Sequence, residues 1–185
     1  MFKKVLNSWA KEMDKQRYKE QDKRKKRVYY VDVCTNHADM IQEVVQNCEE
    51  YVLRTDELLT DDIFTEVKIE ELEKCVDLIK DTIRTVSENS KVYDLPPNAK
   101  QAYHDSIKHL LTGLNHFLTA FETKLVLQRG ILITETQELT QEEIDELQNS
   151  ISSITPPAYL IDEYVACRKL QLEKYETALN IINNH

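Results

Sequence analysis

Only two glycines, Gly113 and Gly130, and four prolines, in the pairs Pro96-Pro97 and Pro156-Pro157, interrupt a chain of 185 residues. A sandwich or barrel needs a turn signal about every 8–12 residues, and two glycines cannot supply them. Dinucleotide and P-loop sites need clustered glycines, and these two lie far apart. Collagen-like and Gly/Ser-rich disordered chains need far more of both residues. The fold class that remains is all-α. The length fits one domain of about 150 residues plus an appendage. A body of that size buries roughly 70% of the surface its unfolded chain exposes, so it can fold without disulfides or a metal.

Apolar spacing places the helices. Tyr30, Cys34, His37, Ile41, Val44, Cys48 and Tyr51 recur at alternating steps of four and three within residues 28–54. Such a set shares one helix face. Val33, Met40 and Val45 widen that face toward the breadth of a bundle core. Residues 55–65 read as an acidic packed linker, with Thr65 as N-cap of a second helix over 66–89. That helix carries Ile69, Leu72, Val76, Ile79, Ile83 and Val86 and stops in the polar cluster Ser87-Glu88-Asn89-Ser90.

Leu95-Pro96-Pro97 opens a third helix, since proline is tolerated in the first turn. Two adjacent rows, Tyr103 to Phe121 and Leu111 to Leu125, make it the expected central helix. Gly130 is the expected residue just past its end, and Ile131-Leu132-Ile133 a short link or a contact closing that cap. Thr140-Gln141-Glu142-Glu143 is a capping box, starting a short helix with Ile144, Leu147, Ile151 and Ile154 inward. Thr155-Pro156-Pro157 opens the last helix, with Thr155 as cap. Its stripe is Ile161, Val165, Leu172, Tyr175, Leu179 and Ile182, interrupted by Arg168, which belongs at an edge or beside an acid because an unpaired buried Arg is costly. The two proline-led starts, each followed by a tyrosine (Tyr103 and Tyr164), echo one another. The echo fits a duplicated helical hairpin or, more plainly, shared capping chemistry, and two examples do not make a solenoid.

The N-terminal segment is distinct. Residues 1–27 hold eleven Lys/Arg against four Asp/Glu, a net +7, whereas residues 28–185 carry −16. Phe2, Leu6, Trp9 and Met13 follow steps of four, three and four, joined by Val5; from Asp14 to Arg27 only Tyr18 is large and apolar. Lys, Arg, Gln and Glu are good helix formers, so this arm reads as a helix that can run on into the first bundle helix. It has little with which to bury itself and is expected to project or to order on a partner. The start resembles a signal peptide only briefly, because Asn7, Ser8, Lys11 and Glu12 break any apolar core of about 7–15 residues. No run of about 18 apolar residues occurs. The four cysteines, Cys34, Cys48, Cys75 and Cys167, sit singly in apolar helical patterns and read as reduced core residues. A cytoplasmic protein is expected, with peripheral membrane attachment as the variant.

Candidate chemistry is sparse. His104, His109 and His116 lie on one helix, but no Glu-x-x-His or His-Glu-x-x-His accompanies them. Cys34 and His37 lie one turn apart, yet a rigid helix holds Cys48 about 21 Å from Cys34, too far for a shared zinc. No nucleophile elbow, kinase or deaminase signature occurs. Paired acids such as Glu49-Glu50, Asp61-Asp62 and Glu142-Glu143 read as solvated surface. No metal, cofactor or catalytic residue is expected. The densest charge feature is Lys23-Arg24-Lys25-Lys26-Arg27. It lacks aromatic interleaving, and the acidic body repels a duplex, which disfavours nucleic acid.

The expectation is therefore an antiparallel bundle of four to five helices over 28–185 with a basic helical arm over 1–27. The expected function is a non-catalytic adaptor or assembly protein. It binds a protein partner, or a second copy, through Phe2, Val5, Leu6, Trp9 and Met13, with Lys23, Arg24, Lys25, Lys26 and Arg27 steering encounter. The alternatives are an anionic membrane surface engaged by the same amphipathic arm and a metal-binding or enzymatic bundle.

Overall fold

The structure is a computed structural model that describes residues 2–58, 66–92, 94–136 and 139–184, with side chains from residue 11 onward, Leu58 excepted. Among them are five helices and no strand: α1 (Phe2–Leu58), α2 (Glu66–Glu88), α3 (Pro97–Thr136), α4 (Gln141–Ser152) and α5 (Pro157–Asn183). The expected linker at 55–58 is instead the last turn of α1, and Thr65 lies outside the described residues.

Four of the helices form a closed ring in the order α1, α2, α3, α5. Cross-helix contacts fix the directions. Tyr51 reaches Glu71 across α1–α2, and Lys80 and Arg129 of opposite strokes meet Glu122 and Glu73 across α2–α3. Phe117 stacks on Tyr164, 4.7 Å between ring centroids, and Ser106 Oγ donates to the Gln171 carbonyl at 2.9 Å, so α3 and α5 are antiparallel. His37 meets Tyr103 and Asp56 meets Lys124, which makes α1 parallel to α3. The result is an up-down-up-down bundle, the topology that short connections favour.

The central element is α3, buried along its whole length from Ala99 to Gly130. Its closest neighbour is α5, and small residues explain why. A Cβ added at Gly113 would lie 2.9 Å from the Cys167 Cβ and 3.2 Å from Tyr164 Cδ2. Glycine here lets two helices approach further than side chains otherwise permit. That approach selects the buried face of α5: Leu160, Tyr164, Cys167, Gln171, Ala178 and Ile182. Val165 and Leu172, expected inward, are 60% and 50% exposed. Hydrophobicity alone favoured Val165 and Leu172, but Cys167 fits against Gly113 and the Gln171 carbonyl accepts from Ser106.

A similar correction applies to α1. Val45 and Val52 are fully buried, while Tyr51 and Met40 are exposed. A helix of 3.6 residues per turn drifts against a strict heptad, so the inward position slips by one.

The ends follow their capping chemistry in part. At α4, Thr140 N donates to Glu143 Oε2 at 2.8 Å and Glu143 N donates to Thr140 Oγ1, the reciprocal capping box. Its apolar face, Ile144, Leu147, Ile151 and Ile154, is half-buried. Gly130 does not end α3. Its φ is not positive, and the helix continues to Thr136 with Leu147 of α4 lying over it. Covering by α4 outweighs glycine's weak helix propensity. Thr155 does not cap α5; Pro156 holds that place with no side-chain hydrogen bond. In both proline-led starts the first proline's carbonyl accepts the first helical bonds, from Lys100 N and from Tyr159 N and Leu160 N.

Candidate functional site

Lysine and arginine run through the first half of α1, and nothing in residues 2–58 breaks the helix. The arm and the bundle therefore share one 57-residue rod, about 85 Å long at 1.5 Å per residue. Every residue from 11 to 29 is exposed. Lys23, Arg24, Lys25, Lys26 and Arg27 all lie in that stretch, as do Met13 and Tyr18, 41% and 73% exposed. The side chains of Phe2, Val5, Leu6 and Trp9 lie outside the described residues.

Continuity of the helix links two patterns that the sequence presents separately. Counting back from Tyr30 in steps of three and four passes through Arg27, Lys23, Glu20 and Gln16, then reaches Met13, Trp9, Leu6 and Phe2. The apolar tip thus continues the three-four spacing of the α1 stripe in sequence, while a helix of 3.6 residues per turn drifts by about 80° against that count over four heptads. Four polar positions separate the two. Where α1 lies in the bundle, that face packs on α2, α3 and α5; over residues 11–27 it is exposed, touched only at its neck by the end of α5.

The neck is anchored at the far end of α5. Arg27 Nη1 donates to the Asn183 carbonyl at 3.2 Å, among the last carbonyls of that helix, where a cation complements the dipole. Glu20, Lys23, Arg24 and Arg27 with Asn183 and Asn184 line a shallow cleft of about 270 Å³. Lys26 pairs with Asp22 one turn earlier at 3.0 Å, and that hydrogen bond raises its pKa above the ordinary lysine value.

Between α1 and α5 the contact is polar. Arg168 Nε lies 3.1 Å from Glu49 Oε1, its two Nη atoms donate to Gln171 Oε1 and Gln42 Oε1 at 2.7 and 3.1 Å, and the Tyr164 hydroxyl also donates to Glu49. Arg168 is thus paired, as expected of an Arg within an apolar stripe. Leu53, one turn beyond Glu49, is half exposed, as are Val165 and Leu172, one turn to either side of Arg168. These exposed apolar residues are absent from the sequence-predicted set, which placed Val165 and Leu172 in the core. Their signal was the interrupting Arg168 itself.

The remaining candidates are separate from one another. His37 Nδ1 lies 2.6 Å from the Tyr103 hydroxyl, and Tyr103 packs edge-on against Tyr175. Burial holds the His37 pKa below its usual 6.5, opposed by the Asn89 carbonyl. Burial pushes the Cys34 and Cys75 thiols up to about 11, which disfavours the reactive thiolate. All four cysteines are free and buried. His104 is exposed, His109 and His116 are half-buried, and among the described residues no three metal-ligating groups converge. A surface cleft of about 460 Å³ opens beside the start of α3, with Val92, Pro97 and Tyr103 beneath Lys91, Lys100 and His104. No helix among the described residues is long and apolar enough to cross a membrane.

Comparison with known proteins finds no matching family model, no significantly similar curated sequence and no significantly similar solved structure.

Proposed function

We propose that this chain is a helical adaptor whose α1 extension, residues 1–27, docks on a protein partner while residues 28–185 form the bundle that holds it. One observation carries the reading: the cationic run and Met13 are exposed on a helix continuous with the core. A helix end that carries apolar residues at steps of three and four is the form of a helix-in-groove ligand. The cationic run raises the encounter rate with an acidic surface.

Photo-crosslinking groups introduced at Met13 and at Tyr18 in cells test this directly. Discrete protein adducts are expected, lost when Lys23, Arg24 and Lys25 are all changed to Glu. Adducts with lipid alone, together with flotation on anionic vesicles that salt reverses, would replace the protein partner by a membrane surface. No adduct of either kind rejects a docking role for the arm.

A further inference from the structure

Resting on that reading of the arm, we propose that its docking surface is the α1–α5 seam of a second copy, so that chains associate head to tail.

Three observations select this occupant. The arm carries +7 and residues 28–185 carry −16, so arm on body is attractive, whereas arm on arm sets +7 against +7. The arm is complementary to its own body, but beyond its anchor at Arg27 and Asn183 it does not fold back on it. Phe2–Leu58 is one helix with neither glycine nor proline, and such a rod does not double back. The attraction is therefore satisfied only in trans. Finally, the seam has the matching chemistry. Leu53, Val165 and Leu172 are exposed on the two helices of the seam, as are the acids Asp39, Glu50 and Glu176 and the base Lys169. Phe2, Leu6, Trp9 and Met13 between Lys3, Lys4, Lys11 and Lys15 are its counterpart in pattern and in sign.

The arm and the seam are different surfaces, so the contact is heterologous, and copies can add in sequence until a ring closes or a filament grows. Arm and seam variants must then complement each other. Two full-length variants make the test: Leu6→Asp with Trp9→Asp on the arm, and Val165→Lys with Leu172→Lys on the seam. Both seam positions are exposed, and circular dichroism confirms that each variant is folded.

By sedimentation velocity at low salt, the wild-type chain is expected to form species larger than a monomer. Its association should weaken at least tenfold between about 50 and 300 mM salt, because charges separated by more than a Debye length, about 8 Å near 0.15 M, are screened. Each variant alone should be monomeric. Their equimolar mixture should give a 1:1 dimer and nothing larger, since only one arm and one seam remain intact. A mixture that stays monomeric while the wild type associates overturns the seam as the docking surface and leaves the arm's role standing. A wild-type chain that is monomeric throughout overturns the second copy as occupant; the crosslinking at Met13 and Tyr18 then judges the adaptor reading by itself.

Discussion

Two glycines in one helix have opposite expected fates. At Gly113 an added methyl meets the Cys167 Cβ at 2.9 Å, a backbone-anchored atom that cannot swing aside. Gly113→Ala should lower stability by about 1–3 kcal/mol in a urea melt, since overpacking outweighs the gain of about 1 kcal/mol in helix propensity. At Gly130 the nearest atom is Leu147 Cδ1 at 3.9 Å, an ordinary contact, so Gly130→Ala should raise stability by up to about 1 kcal/mol. His37 gives a pH signature. Its pKa is lowered in the folded chain, so the unfolded chain binds the proton more readily. Stability is then fully present above pH 6.5 and falls as the pH drops below it. The phenol that meets the ring, Tyr103, is held neutral there by burial, which raises its pKa. His37→Gln should flatten the urea midpoint between about pH 7 and 5. For Arg168, removing the cation strands Glu49, whose side chain is 21% exposed. Arg168→Met should cost about 2–4 kcal/mol, and Arg168→Met with Glu49→Met distinctly less than the sum of the single changes, as a double-mutant cycle will show.

The helices themselves differ in how they are held, and this decides what the sequence could disclose. The α3–α5 contact is close and largely apolar, from Ala99 and Ala178 to Phe117 and Tyr164. Amide exchange should accordingly be slowest along α3 and approach free rates over residues 11–29, where each helical hydrogen bond faces water. Helix number, order and most starts were legible because scarce Gly and Pro leave few places to break, and because Pro97, Pro157 and Thr140 mark starts chemically. Which face turns inward was less legible. Periodicity weighs side chains by hydrophobicity, so it favoured Val165 and Leu172 over Cys167, Gln171 and Ala178. The selection was made by Gly113 and Ser106 on another helix, which no local pattern contains. Gly130 failed as a stop for the same reason: α4 covers the turn beyond it. The cationic arm was legible as a composition step, whereas its continuity with the first bundle helix is settled by α1 itself.

On the scale of the molecule, stability resides in the bundle rather than in the arm. Residues 11–29 are exposed and Arg27 holds Asn183 through one hydrogen bond, so little of the bundle's cohesion resides there. A chain lacking residues 2–20 should melt within about 1 kcal/mol of the intact one, in keeping with changes away from buried features. The unbroken rod has a geometrical corollary. Each added residue advances the tip by about 1.5 Å and turns it by about 100°, so reach and azimuth cannot be set independently. Two alanines inserted between Gln21 and Asp22 would swing Trp9 to the opposite side of the axis. Seven would restore its bearing to within about 20° while lengthening the rod by about 10 Å. α1 is in that sense a screw thread: any surface that grips its end also gauges how many residues stand between tip and body.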